Sequence, residues 1–355
     1  MAANQARHLV GLSCDHGPGD CNFAPEMYSA FTQGSLPATW NPASPTRVTA
    51  HVMWTGIADG LEAGTEQCQV CFQRGKDIQV ATAENVCGPL CGYSREALQA
   101  KALWGEGGRV RAAAHEAAAH LAGEPVRPYL LFYGGRIHVT RGEGDKSGRA
   151  QLWAHHKDRP GFRIKLSADS FTSFQINSTF DDDMRKSVYC FVPLGHDAGD
   201  PDRYVPALLF GCVPVMLTSS VRDGKRVPLA LPYEEHPAID WASFAVLLEL
   251  SDIPNLHHIL AAVTPEQLRR KRHAAGRVWR RFLWTRMYGS YLGEDGHDDA
   301  FESFATVLRW RLPALGLATE GELHAQEEVA AQHYRATRVP VTPATVTRGY
   351  DGNGD

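Results

Sequence analysis

Several glycine- and arginine-bearing stretches of this sequence are suited to holding an anion. Tyr133-Gly-Gly-Arg-Ile137 sets Gly134 and Gly135 beside Arg136. Glycine lets backbone amides come close to a phosphate, and the guanidinium offers a planar fork of donors. An ordinary turn with a surface arginine is the plain alternative. Pro193-Leu-Gly-His-Asp-Ala-Gly-Asp-Pro-Asp-Arg203 is a glycine-punctuated loop running into a helix. Helix N-termini attract anions, and Arg203 falls in the first turn. Equally, Asp200 and Asp202 can cap that helix and pair with Arg203. In Leu231-Pro-Tyr-Glu-Glu-His236, Glu234 or Glu235 can accept from ligand hydroxyls, although a glutamate pair is also an ordinary surface feature. Near the start, Ser13-Cys-Asp-His-Gly-Pro-Gly-Asp-Cys21 places Asp15 and His16 after an apolar strand. Either can take a proton from an attacking hydroxyl, a role worth roughly 10²–10⁴-fold in rate. The competing reading is a loop shaped by its glycines and a Cys14–Cys21 bridge.

These groups need a frame that brings distant loops together. From Tyr129 the pattern alternates strand, loop and helix, as a parallel sheet covered by helices does. Tyr129–Tyr133, Ser187–Val192 and Cys212–Leu217 are nearly continuous apolar strands, and Arg203–Phe210 is a short helix with Pro206 in its first turn or so and Gly211 as its C-cap. Ligands of open parallel sheets gather at the C-terminal strand edge, where the loops after Tyr133, Val192 and Leu217 would meet. Arg141–Gly148 reads as a solvated loop and Ser219–Pro228 as a polar, exposed insert. Thr264-Pro-Glu-Gln267 opens a helix with a capping box and an N1 proline. Leu268, Ala275, Val278 and Phe282 mark its buried face, which makes Arg269-Arg-Lys-Arg-His273 a solvated face rather than a nucleic-acid patch. A further helix follows Asp298, with Phe301, Phe304, Leu308 and Trp310 expected in the core. Asp181-Asp-Asp183 is read as the start of a helix, not as a metal site.

The 355 residues are 43% hydrophobic and 21% charged, enough for a sizeable core in two lobes. A net charge of −4 gives no global field toward a polyanion such as DNA. No P-loop, Gly-x-Ser-x-Gly elbow or His-Glu-x-x-His helix occurs, which argues against the commonest triphosphatase and hydrolase chemistries. Nor is there a bilayer-length apolar run or a signal core, and the abrupt entry into the His8–Ser13 strand suggests a truncated chain. Residues 1–125 read as a partial first lobe holding the Val48–Trp54 strand, a cysteine-rich segment and an alanine-rich helical stretch. Residues 126–312 form the second lobe, and 313–355 a frayed tail. Cys68, Cys71, Cys87 and Cys91 are spaced for two disulfides, for a zinc ion, or for free thiols. Cys190 and Cys212 read as ordinary buried thiols.

Taken in order, Asp183-Met-Arg-Lys-Ser187-Val-Tyr-Cys-Phe-Val-Pro193-x-Gly195, Arg203-x-x-x-Ala207-Leu, Gly211-Cys-Val-Pro-Val215, Leu231-Pro-Tyr-Glu-Glu235 and Trp241-x-x-Phe244 resemble the donor-binding half of exostosin-family glycosyltransferases. The match is specific over residues 129–312. A weaker similarity to algal-type members reaches the Asp15-His16 and Cys68–Cys71 regions. The resemblance implies an α/β, GT-B-like fold of two Rossmann-like lobes with a cleft, the first lobe incomplete here. It implies an inverting transfer from a nucleotide-sugar, here a UDP-sugar, to a glycan, without a required metal. Gly135 and Arg136 would touch the donor diphosphate, Ser187 and Arg203 would line the nucleotide pocket, and Glu235 would lie near the transferred sugar or the ribose. Asp15 and His16 remain the candidates for the base. A Golgi or other secretory-pathway setting, on the lumenal side of a membrane, goes with the family, through an anchor outside this chain. Pro206 stands where many members carry an acidic residue, and the first lobe is short. The alternative is therefore a non-catalytic glycan- or protein-binding module on the same fold.

Overall fold

The computed structural model describes residues 9–11, 51–54, 78–81, 95–105, 126–135, 137, 147–166, 180–194, 203–222, 225–313, 319 and 321–322. Three short strands, β1 (Leu9–Gly11), β2 (His51–Trp54) and β3 (Ile78–Gln79), pair in parallel in the order β1-β2-β3. Two of them fall in the apolar segments expected to be strands. Helix α1 (Arg95–Lys101) follows.

The main sheet begins with β4 (Tyr129–Gly135). The chain continues through α2 (Arg149–His156), β5 (Phe162–Leu166), α3 (Phe180–Arg185), β6 (Ser187–Val192), α4 (Tyr204–Leu209) and β7 (Val213–Leu217). A hairpin of β8 (Ser219–Arg222) and β9 (Lys225–Pro228) precedes α5 (Trp241–Phe244) and β10 (Val246–Leu248). The sheet order is β10-β7-β6-β4-β5 with every pair parallel. Strand addition therefore reverses direction around β4, which puts the topological switch between β4 and β6.

Alternation along the strands gives the sheet two buried faces. One carries Phe132, Cys190, Val192 and Met216 against α4, α5 and the later helix α7 (Pro265–Val278). The other carries Leu131, Tyr133, Tyr189, Phe191, Val215 and Leu217 against Leu152 of α2 and Leu256 and Leu260 of α6 (Leu256–Ala262). Ile78, Val80 and Ala81 around β3, and Leu98 and Ala102 around α1, join the first of these cores. The Tyr233 amide donates to the Gln79 carbonyl at 2.8 Å, and the Trp284 indole to that of Ala81 at 3.1 Å. Residues on both sides of position 125 thus share one apolar cluster.

Four expectations need amendment. Cys190 and Cys212 are bridged rather than free, with Cα atoms 5.7 Å apart, because neighbouring parallel strands hold them within disulfide reach. The 219–228 insert is a hairpin whose Ser219 and Ser220 are buried. Phe301 and Trp310, read as core, are 50% and 57% exposed. The inward face of α8 (Ala300–Arg311) is instead Ala300, Ser303, Phe304, Val307 and Arg311, at helical spacing. The fourth is Leu268, only half-buried where Ala275, Val278 and Phe282 are fully buried. The α7 helix itself begins as read: Thr264 Oγ1 accepts from the Gln267 amide at 3.2 Å and Gln267 Oε1 from the Thr264 amide at 2.8 Å. Its basic run is a face with its own partners. Glu266 pairs with Arg269 and Arg270, and Lys271 donates to the carbonyls of Ala242 and Ala245.

Candidate functional site

Because all five strands are parallel, their C-terminal ends lie on one edge, and the residues just beyond them can meet. At the switch point β4 ends in Gly134 and Gly135, and the α4 N-terminus follows β6. Arg203 occupies the N-cap position of α4 and donates through Nη1 to the Gly134 carbonyl. Its guanidinium also lies 5.7 Å from the centre of the Tyr133 ring. Gly135 leaves the guanidinium its room. A Cβ added to it would come within 2.8 Å of both Arg203 terminal nitrogens and 3.0 Å of the Tyr133 hydroxyl. Among the described residues Arg203 meets a carbonyl and a ring but no carboxylate.

The helix that carries Arg203 is short and held by packing. Every residue from Tyr204 to Leu209 is buried, Pro206 sits in the first turn, and the Phe210 amide donates to the Pro206 carbonyl at 3.0 Å. Gly211 ends it at φ 70°, where a Cβ would meet Leu103 Cδ2 at 2.2 Å. The left-handed backbone and the absence of room both call for glycine.

Farther along the same edge, past β7 and β10, Glu249 accepts from Thr218 Oγ1 at 3.1 Å, from Ser219 Oγ, and from Arg226 Nε at 2.7 Å. Arg226 first, with Ser219 and Thr218, holds its carboxyl down at about 2. An anionic carboxylate is thus fixed at this edge, a feature the sequence reading passed over. Its one signal was position, directly after the apolar Val246–Leu248 strand. Arg149 was passed over too: it is buried at the α2 N-terminus and donates through Nη2 to the Leu194 carbonyl at 2.7 Å.

Of the residues singled out from the sequence, Gly135 and Arg203 come together. Ser187 does not join them. It is the first residue of β6, at the opposite end of the strand, fully buried, and its hydroxyl donates to the Asp183 carbonyl at 2.7 Å. Glu235 is held by Arg311, whose Nε donates to it at 2.7 Å. Glu234 accepts from the Leu231 amide at 3.1 Å. Arg136, Asp15, His16, Cys68, Cys71, Cys87 and Cys91 lie outside the described residues. Asp181 pairs with Lys101 at 2.6 Å, and Asp183 with Lys165 and Arg163. Among the described residues no three His, Cys, Asp or Glu side chains converge as metal ligands. No described helix is long and apolar enough to cross a membrane.

Comparison with known proteins shows what the region around this edge is similar to. Residues 112–263 match the Exostosin GT47 domain. The chain is 30% identical over 164 residues to the probable glucuronosyltransferase GUT1 of Oryza sativa subsp. japonica, covering 44% of this chain and 35% of that protein. It is 31% identical over 141 residues to the probable beta-1,4-xylosyltransferase IRX10L of Arabidopsis thaliana, covering 40% and 29% respectively. The probable glycosyltransferase At5g03795 of Arabidopsis thaliana is 32% identical over 157 residues, 44% of this chain and 26% of its own length. The similarity thus spans about a third or less of each relative. Strands β4 to β10 lie inside the region, residues 112–263, that is similar to the Exostosin GT47 domain.

Proposed function

We propose that the chain contains the donor-binding half of an inverting glycosyltransferase that moves a sugar from a UDP-sugar to a glycan. In the reaction an acceptor hydroxyl oxygen bonds to the anomeric carbon from the face opposite the donor phosphate. The bond from that carbon to the diphosphate breaks, and the leaving group carries away the electron pair. Arg203, with Arg136, the residue that follows β4 in the sequence, would hold the diphosphate as its charge develops. Glu249 would accept donor hydroxyls or fix the hairpin beside them. Asp15 or His16 would take the acceptor's proton.

The observation that carries this reading is the meeting of Gly135 and the Arg203 guanidinium at the switch point between β4 and β6, where α/β sheets bind phosphate-bearing ligands. The names of the relatives support sugar transfer, and a uronosyl or pentosyl donor fits them. A GT-B pair of lobes with a cleft belongs to the same proposal. So does a Golgi or other secretory-pathway setting, for which the Cys190–Cys212 bridge suits an oxidising lumen. For the cysteines of the first lobe we favour disulfides over zinc, and elemental analysis of the purified chain tests this.

Calorimetric titration with UDP tests the main reading. One charge-assisted contact contributes about 1.5–3 kcal/mol, so Arg203→Ala should weaken UDP binding roughly 10- to 100-fold. Unchanged binding would overturn the assignment. The second reading, a binding module without catalysis, draws on Pro206 in the first turn of α4 and on the engagement of Glu235 by Arg311. Sugar transfer or donor hydrolysis by a longer chain would eliminate it.

A further inference from the structure

Two arginines brace the switch point reciprocally. Arg203, on the segment after β6, holds the Gly134 carbonyl at the end of β4. Arg149, on the segment after β4, holds the Leu194 carbonyl two residues past the end of β6, at 2.7 Å. Each strand end is fixed by a side chain from beyond the other. The Leu194 carbonyl lies inside the 190–212 disulfide loop that also carries Arg203.

The placement of Arg149 is enforced locally. Gly148 precedes it with φ 77° and ψ 0° as the α2 N-cap, and a Cβ at Gly148 would come within 2.6 Å of Ile253 Cδ1. The Leu152 amide donates to the Gly148 carbonyl at 3.0 Å, so the first turn of α2 is closed, and Leu152 is fully buried beneath it. A long cationic side chain is thereby held in place with 7% of its surface exposed. Burying a guanidinium is costly, and a hydrophobic residue would fill the volume without that cost.

We propose that Arg149 is a positioning residue for nucleotide-diphosphate binding: by fixing the Leu194 carbonyl beyond β6 it steadies the strand end that pairs with β4, whose Gly134 carbonyl holds Arg203. The proposal rests on the donor-site reading above and adds a residue and a route to it. Arg149 acts through Arg203, so the two are coupled in diphosphate affinity.

The test uses UDP as the probe and the variants Arg149→Met and Arg149→Lys, each made alone and with Arg203→Lys. Arg149→Met should weaken UDP binding about tenfold alone and less than twofold in the Arg203→Lys background. Arg149→Lys, which retains one donor for the carbonyl, should recover part of the loss. A merely structural role predicts equal factors in both backgrounds, and that result overturns the proposal, as does wild-type affinity in a folded Arg149→Met chain. Should Arg149→Met fail to fold, the lysine variant is read against the same criteria. Hydrogen exchange provides an arm independent of the ligand. The Ala207 amide, bonded to the Arg203 carbonyl at 3.1 Å, should exchange several-fold faster in Arg149→Lys. Unchanged exchange defeats the proposal even if UDP does not bind. A wild-type chain that ignores UDP while showing the exchange effect defeats only the donor reading.

Discussion

Beneath α4, the rings of Tyr204, Trp241, Phe244 and Phe282 meet with centroids 4.9 to 6.1 Å apart. At the N-terminus of the same helix, Arg203 reaches a backbone carbonyl at the edge of the sheet. The first region is buried and apolar, and its energy comes from area and ring geometry. The second is polar, made by few contacts, and leaves a charge without a carboxylate partner among the described residues. The difference assigns the two regions separate tasks. A six-residue helix is too short to be stable alone, so its orientation is supplied by the aromatic block below. The edge can then present to an anion a guanidinium that meets no carboxylate among the described residues.

If that division is right, substitutions in the block should lower stability and leave affinity alone, and those at the edge should do the reverse. The largest effect is expected from Phe282→Ala. Phe282 is fully buried and touches four rings, so its loss should cost about 3–5 kcal/mol in urea unfolding. UDP affinity of the folded fraction should stay within about twofold. A loss under about 1 kcal/mol would show that the helix is held by something else.

Next comes a pH effect confined to the supporting region. His236 is 5% exposed, and burial, with the Arg281 guanidinium 3.4 Å from Nε2, pushes its imidazole down to about 4. The unfolded chain takes up this proton near 6.5 and the folded chain only near 4. Stability is therefore whole above about pH 6.5 and falls by up to about 3 kcal/mol as the pH drops to about 4. His236→Gln should flatten that part of the profile. A stability curve level from pH 7 to 4.5 in the wild type would contradict the assignment. The depressed Glu249 carboxyl acts in a lower window, below its ordinary 4.5 and down to about 2.

How much of this was legible in the sequence follows from how local each feature is. The strands at 129, 187 and 213 announce themselves as apolar runs, and Thr264, Pro265 and Gln267 spell a helix start within four residues. Gly135 and Arg203 could be joined because topology alone brings strand ends together. What depended on side-chain partners far away in the chain stayed hidden. Glu235 finds Arg311 76 residues on, and Arg149 finds Leu194 45 residues on. Nothing in the text around either residue encodes the partner. Cys190 and Cys212 looked like core thiols because apolar strands surround them, and only the register of β6 beside β7 makes them bondable. Phe301, Phe304 and Leu308 stand at helical spacing, but so do Ala300, Phe304 and Val307, and spacing alone does not say which of the two overlapping faces is buried.

The edge has its own sharper test in Gly135→Ala. The added methyl would crowd the Arg203 nitrogens at 2.8 Å, but these end a flexible side chain, so the guanidinium can swing away at small cost. UDP affinity should fall about tenfold, about 1.4 kcal/mol, while the unfolding midpoint barely moves. A large stability loss with intact affinity would reverse the roles assigned to edge and block.

The smallest effect probes the far side of the support. Thr264 caps α7 through the Gln267 amide and lies exposed, and α7 packs Ala274, Ala275 and Val278 into the cluster beneath α4. Thr264→Ala should cost about 1 kcal/mol of unfolding free energy. Because the cap frays only the first turn of α7, and the buried residues come two turns later, the aromatic block should keep its geometry. UDP binding should then be unchanged. A tenfold loss of affinity from this exposed threonine would mean that block and edge are coupled more tightly than their contacts imply, and the separation of tasks between them would have to be given up.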